Sequence, residues 1–351
     1  MSTELDGLVD LSALGAWMDR SGLAPGPIED VQRLTGGTQN VLLRFTRAGT
    51  SYVLRRPPRH LRAVSNETLL REARMLGALT GQGVPAPALI AACEDESVLG
   101  AAFFLMEPVE GFNAANGMPE LHTSDATVRH RMGLSAIEGI AAVAALDHEA
   151  IGLADFGKPE GFLERQVPRW LGELTSYADL DGYQPTDFPD VTPIAEWLEA
   201  RVPSTYQPGI VHGDFHAANL FFEHESGELA AILDWEMATI GDPLLDLGWF
   251  VATWPSEKSP ALSAAAGALA AAGGLATRTE LIGHYEKHSS RDVAEIDWYA
   301  VLACFKLGIV LEGSYARACA GKMDKDVGGF LHAMGLALIE QADLFMTEGV
   351  G

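Results

Sequence analysis

Two short apolar runs, LFF and LAAIL, flank the turn-forming stretch HESGE between Leu220 and Leu233, in a part of the chain whose other segments read as helices. A hairpin this short is tied down by its flanks, and both flanks are polar. Before it stands His212-Gly213-Asp214-Phe215-His216-Ala217-Ala218-Asn219, and after it Leu233-Asp234-Trp235-Glu236. Two carboxylates and an amide therefore converge on one tight β unit inside a helical half.

The N-terminal part has a different rhythm. An amphipathic stretch around Leu8 to Met18 precedes apolar runs near Val31, Val41 to Phe45 and Tyr52 to Leu54, separated by Gly-Gly and by RAGTS, which read as turns between antiparallel strands. From Asn66 to Leu79, the residues Leu69, Leu70, Ala73, Leu76 and Leu79 recur at helical spacing, and PAPALIAAC and GAAFFLMEPVEG then read as two more strands. The predicted order is β-β-β-α-β-β. Beyond Gly111 the patterns are long and helical, as from Asp125 to His148 with Val128, Met132, Ile137, Ile140 and Val143 on one face. The boundary falls near Pro108, giving an N-terminal domain of 1–107 and a C-terminal domain of 108–351. The Ala/Gly segment from Ala261 to Gly274 reads as a close-packed helix and turn rather than a linker.

Charge narrows the functions. With 24 Lys and Arg against 48 Asp and Glu the net charge is −24, a field that repels nucleic acid and anionic membrane surfaces, so neither is an expected partner. Against that background, Arg44 to Arg74 holds eight arginines and only Glu67 and Glu72, a pattern that fits either a small-anion site or a solvated strand and helix face. Cys93, Cys304 and Cys319 are far apart with no CxxC pair, which argues against a disulfide framework or thiolate metal site and for a reducing, cytoplasmic setting. The start, MSTELDGLVD, is acidic where a signal peptide needs positive charge, and the apolar stretch Leu262 to Ala276 is shorter than a bilayer span.

Phosphoryl transfer needs a carboxylate to orient an attacking hydroxyl and hard oxygen ligands for Mg²⁺. Asp214, Asn219 and Asp234 supply that set, and the spacing Asp-x-x-x-x-Asn with a second Asp twenty positions after the first matches kinase catalytic and metal-binding loops. His212 and His216 with Asp214 and Asp234 also offer a ligand set for Zn²⁺ or Mn²⁺, the pattern of a metal-dependent hydrolase, although that leaves Asn219 unexplained. Asp155-Phe156-Gly157 spells a kinase DFG, but it precedes the HGD loop, so Asp155 reads as a turn residue.

The motifs HGDFHAAN and DWEMATIGDPLLDL resemble the signatures of the aminoglycoside phosphotransferase-like branch of the protein-kinase-like superfamily. That resemblance implies an α+β, protein-kinase-like bilobal fold, with an antiparallel five-stranded N-lobe and a mostly helical C-lobe. It implies an ATP- and Mg²⁺-dependent small-molecule kinase acting on a hydroxyl acceptor. Carried over residue by residue, it makes Asp214 the catalytic base, Asn219 and Asp234 the Mg²⁺ ligands, Asp246 a buttress of the catalytic loop, and His212 a positioning residue. Tyr52-Val53-Leu54-Arg55 stands in place of the kinase VAIK strand, with Arg for Lys; alternation along the strand turns Arg55 rather than Arg56 inward, toward Glu72 of REARML. Gly36, Gly37 and Thr38 occupy the place of the glycine-rich phosphate loop without its GxGxxG, and are equally consistent with a plain hairpin turn. Glu107 and Val109 fall where a kinase hinge meets adenine, or simply join two domains.

For the acceptor, YVLRRPP and GLADFGKPEGFLERQVPRW are similar to the subgroup that lies beside or is fused to acyl-CoA dehydrogenases, which implies a hydroxyacyl, CoA-type substrate. Arg165, Arg169 and Trp249 are the acceptor-site candidates; a surface helix and core packing account for the same residues. An aminoglycoside kinase and a non-catalytic nucleotide or acyl-ligand binding module stand as alternatives.

Overall fold

The periodicities resolve into real elements in the computed structural model, which describes residues 9–34, 40–58, 63–256 and 267–351. Helix α1 (Leu11–Arg20) begins at Asp10, whose carboxylate accepts the N–H groups of Ser12 and Ala13. Strands β1 (Glu29–Leu34), β2 (Val41–Arg47) and β3 (Thr50–Arg56) follow, then α2 (Ser65–Leu79), β4 (Leu89–Cys93), the single turn α3 (Glu96–Leu99) and β5 (Phe103–Met106). All pairings are antiparallel in the order β1-β2-β3-β5-β4, the five-stranded sheet the sequence predicts, with α3 as an added turn. Alternate residues of β2 are buried: Val41, Leu43 and Phe45 join Leu14, Met18, Leu54, Phe103 and Leu105 in one core.

The remaining chain is mostly helical: α4 (Glu120–Ser124), α5 (Ala126–Ala144), α6 (Gln166–Ser176), α7 (Thr192–Glu199), α8 (Leu244–Thr253), α9 (Gly267–Ala272), α10 (Arg278–His288), α11 (Ile296–Cys319) and α12 (Lys325–Glu348). The long helix expected from Asp125 to His148 ends at Ala144; Asp147 then turns its carboxylate onto the N–H groups of Glu149 and Ala150, which favours a turn over further helix. Short strands interrupt the helices: β6 (Gly209–Val211), β7 (Leu220–Phe222), β8 (Leu229–Ile232) and β9 (Thr239–Gly241), with β6 antiparallel to β9. Glycine is required where α8 crosses α11: a Cβ on Gly248 would lie 2.6 Å from Tyr299.

Two compact units result, Met1–Glu110 with Ala230–Ala238, and Gly111–Leu229 with Thr239–Gly351. The first unit thus takes in the residues around Asp234, far along the chain. Among the described residues all three cysteines are free, and no helix is long and apolar enough to cross a membrane.

Candidate active site

In the first unit, β3 fixes the direction of Arg55. Its register pairs Arg55 with Leu42 on one side and Phe104 on the other, so the guanidinium leaves the sheet toward α2. There Nε lies 2.9 Å from a Glu72 carboxylate oxygen, and NH2 lies 2.7 Å from Asp234 Oδ1 and 3.7 Å from Glu236. Arg56, on the opposite face, donates to the Leu99 carbonyl at 3.0 Å. One cation is therefore shared among three carboxylates. Burial drives the Glu72 carboxyl up to about 8 against the pull of Arg55, with Asp234 and Glu236 pushing the same way as burial.

Asp234 follows β8 in a left-handed conformation, φ 64° and ψ 67°, which a non-glycine residue holds only at a cost of order 1 kcal/mol. The next residue anchors it: the fully buried Trp235 donates its indole N–H to the Ile232 carbonyl at 2.9 Å. With Oδ1 on Arg55, Oδ2 of Asp234 has no hydrogen bond among the described residues and suits a hard cation.

In the second unit the loop after β6 is held from below by Asp246, on the first turn of α8. Its buried carboxylate accepts the N–H of His212 at 2.6 Å and of Gly213 at 2.9 Å. Gly213 has φ +86°, so glycine lets the backbone turn there and present both donors to one side chain. Asp214 follows, and its N–H donates to His212 Nδ1 at 3.3 Å. The Asn219 amide donates to the Asp214 carbonyl at 2.9 Å and to Oδ2 at 3.0 Å, while His216 Nε2 lies 3.2 Å from Oδ1. Because the Asn219 nitrogen faces Asp214, its carboxamide oxygen is left as a ligand for a cation. Burial raises the Asp214 pKa, but the His216 hydrogen bond and the charges of His216, His212 and Lys306 outweigh it and hold the carboxyl at about 2. A carboxylate that is ionised at neutral pH and has two oriented oxygens can accept a hydroxyl proton as that hydroxyl attacks.

Sequence reading missed two supports of this loop. Asn113 donates its amide to the carbonyls of Ala218 and Leu220. Lys306 of α11 donates to the Gly213 carbonyl at 3.0 Å. A lone Lys in an apolar helical run is a signal that pattern analysis can use; Asn113 has none. The first acid of the GDPLLDL motif, Asp242, is structural: buried, it accepts the Leu244 N–H at 3.1 Å and the Tyr299 hydroxyl.

Other candidates fall as follows. Gly36, Gly37 and Thr38 lie outside the described residues. The Glu107 N–H is already bonded to the Ala88 carbonyl at 2.9 Å, and Val109 lies two residues beyond in irregular chain. Arg165 is tied to backbone carbonyls of Glu160 and Lys158; with Arg169, Lys158 and Phe162 it lines a cavity. The Arg169 guanidinium lies 5.0 Å from the Trp170 ring centre, and Trp249 is buried. Asp155 sits in an exposed turn, and Phe156 beside it is buried.

The arginine-rich stretch divides: Arg71 and Arg74 stand exposed on α2, whereas Arg47, Arg55 and Arg56 are buried. Arg47 is buried, bonded to Asp19 at 2.6 Å and to the carbonyls of Gly26 and Gly15, and Arg56 serves Leu99. Arg59 and Arg62 lie outside the described residues. His212 and His216 fall, among the described residues, in no group of three metal-ligating side chains. Among the described residues, the set whose ligand atoms lie within 4.8 Å of one another is Glu138, His284 and His288, and there Arg131 already grips Glu138.

The mouse acyl-CoA dehydrogenase family member 10 is 28% identical over 301 residues, 85% of this chain. The chain spans 27% of that relative's length, and 35% to 40% of the other curated relatives described as acyl-CoA dehydrogenases. A Ralstonia eutropha JMP134 protein, provisionally named an aminoglycoside phosphotransferase, matches at 29% identity with a TM-score of 0.75, covering 95% of this chain and 98% of that one. A thermostable mutant of aminoglycoside phosphotransferase APH(4)-Ia, solved in ternary complex with ADP and hygromycin B, shares the fold at 14% identity and TM-score 0.59, covering 93% of this chain and 97% of that one. The fold is thus α+β and protein-kinase-like. Residues 30–281 match the model of the phosphotransferase enzyme family APH, and the chain belongs to that family.

Proposed function

We propose that this chain is a small-molecule kinase that moves the γ-phosphoryl group of ATP onto a hydroxyl of a hydroxyacyl, CoA-type acceptor. The observation that carries the reaction type is the Asp214 carboxylate, ionised and oriented by Asn219 and His216 on a loop that Asp246 holds by two backbone N–H groups. In this reading the acceptor O–H donates to Asp214 while its oxygen attacks the γ-phosphorus. The bond to the β,γ-bridging oxygen breaks, ADP leaves, and the hydroxyl proton passes to Asp214.

Asn219 and Asp234 each offer a carbonyl or carboxylate oxygen to Mg²⁺, and the carboxylates crowded on Arg55 fit a divalent cation. When bound, Mg²⁺ supplies positive charge that offsets the charge of the phosphates. Arg55 holds Glu72 and Asp234 in register and keeps further guanidinium donors for a phosphate oxygen, a geometry that lysine in the same place lacks. The acyl assignment is supported by the acyl-CoA dehydrogenase relatives and by the arginines at 165 and 169.

The test is direct: the chain is incubated with Mg·ATP and either hydroxyacyl thioesters or aminoglycosides, and products are read by mass spectrometry. A phosphate added to hydroxyacyl thioesters and not to aminoglycosides is expected. Aminoglycoside phosphorylation alone would overturn the acyl assignment, and transfer to neither class with ATP intact would overturn the kinase reading.

A further inference from the structure

Helix α11 is apolar from Ala300 to Leu311 except at Lys306. The ammonium of this half-buried residue donates to the Gly213 carbonyl at 3.0 Å and lies 4.3 Å from the Trp249 ring centre and 5.5 Å from that of Trp170. It makes no ion pair among the described residues. Burial lowers its pKa to about 8, against the attraction of Asp214 and Asp246 and with repulsion from Arg169.

A cation that only braced the fold would be expected to sit on one of those carboxylates, because an unpaired buried charge is costly. Here the carboxylates are taken: Asp246 by the N–H groups of His212 and Gly213, Asp214 by Asn219 and His216. Of the three ammonium N–H donors, one has an acceptor atom. The indole N–H groups of Trp170 and Trp249 are also buried without a hydrogen-bond partner. Two ammonium donors and two indole donors beside Lys306 thus have no hydrogen-bond acceptor among the described residues. Arg169, Arg165 and Lys158, against the single acid Glu164, line a cavity in the same unit and leave it net positive in a chain of net −24. Such surroundings fit a ligand rich in acceptor oxygens and repel a polycation.

Building on the kinase reading above, we propose that Lys306 orients the acceptor: its ammonium donates to a carbonyl-type oxygen of the acceptor, carboxylate or thioester, and so sets which hydroxyl faces Asp214. The phosphoryl-transfer bonds are those already described; Lys306 contributes a hydrogen bond and a charge.

The experiment compares the wild type, Lys306→Met and Lys306→Arg on three acceptor sets: hydroxybutyrates with the hydroxyl on different carbons, their pantetheine thioesters, and butanediols that lack the carbonyl. Loss of a charged hydrogen bond predicts a ~10–100-fold rise in acceptor KM for Lys306→Met, partly recovered in Lys306→Arg. Because Lys306 also braces the Gly213 carbonyl, hydrolysis of ATP without acceptor should fall, but by a smaller factor than transfer to carbonyl-bearing acceptors, and the KM for diols should not rise. Preference for free acids or thioesters identifies the source of the oxygen. Proportional loss of hydrolysis and of every transfer would reduce Lys306 to a brace for Gly213, and an unchanged KM would remove it from acceptor binding; either result overturns the proposal.

A wild type that never turns over ATP sinks the kinase reading instead. Thermal unfolding with acceptor alone then decides the role of Lys306. Stabilisation in the wild type that Lys306→Met loses supports it; none in the wild type, or equal stabilisation in both, overturns it. Unfolding of each variant without ligand verifies that it is folded.

Discussion

In the first unit Glu72, Asp234 and Glu236 gather on a single guanidinium, whereas in the second unit Asp246 and Asp214 are held by backbone N–H groups, an amide and an imidazole. The two arrangements handle negative charge differently. Side chains grouped on one cation leave carboxylates crowded, which adds to the burial that raises the Glu72 pKa, and prepare the region for further positive charge. Around Asp214, burial is outweighed by the His216 hydrogen bond and the charges of His216, His212 and Lys306, which hold the carboxyl at about 2, ionised and aimed. The first pattern suits binding of a cation and phosphates, and the second suits orientation of a reacting hydroxyl.

Substitutions can break this contrast. The largest effect is expected at Asp214→Ala, which removes the oriented base: kcat should fall by ~10³-fold or more while nucleotide affinity, measured by calorimetry, stays within a few-fold. Weak nucleotide binding in that variant would mean that the loop carries binding as well. Next comes Arg55→Met, which removes the cation beside the buried Glu72 and should cost up to about 3–5 kcal/mol of stability in denaturant unfolding above about pH 8, where Glu72 is ionised, and less below it. A variant as stable as the wild type would show that Glu72 is already protonated and needs no partner.

The smallest effect lies outside both clusters. Hydrogen bonds from Arg131 hold the Glu138 carboxyl at about 2, below its ordinary 4.5, against the opposing effect of burial. A depressed native pKa stabilises the fold above the unfolded value, and that stabilisation disappears as pH falls from about 4.5 toward 2. After discounting for solvent screening it is worth about 1 kcal/mol. Thermal melts of Glu138→Gln should lack this acid limb while other carboxylates keep theirs.

Much of this arrangement was legible beforehand, for physical reasons. The period-two burial of β2 and the helical spacing of α2 reveal sheet and helix, and strand alternation separates Arg55 from Arg56. The HGDFHAAN loop is local, so its sequence carries most of its own geometry. What stayed hidden depends on partners distant in sequence. Glu236 beside Arg55, Asn113 beneath the Asn219 loop and Lys306 against Gly213 are contacts that no short window encodes. Nor can charge counts tell that Arg47 and Arg56 are spent on backbone carbonyls.

The central claim is that the chain binds a nucleotide through a cation held by Asp234, separately from the chemistry at Asp214. Thermal unfolding of the wild type, Asp234→Ala and Asp214→Ala with and without Mg·ATP tests it most directly. At ~100 times its dissociation constant, the nucleotide should add about 2.7 kcal/mol to the wild type and to Asp214→Ala, only with Mg²⁺ present, and nothing to Asp234→Ala. Equal stabilisation of all three proteins, or none in the wild type, would contradict the account.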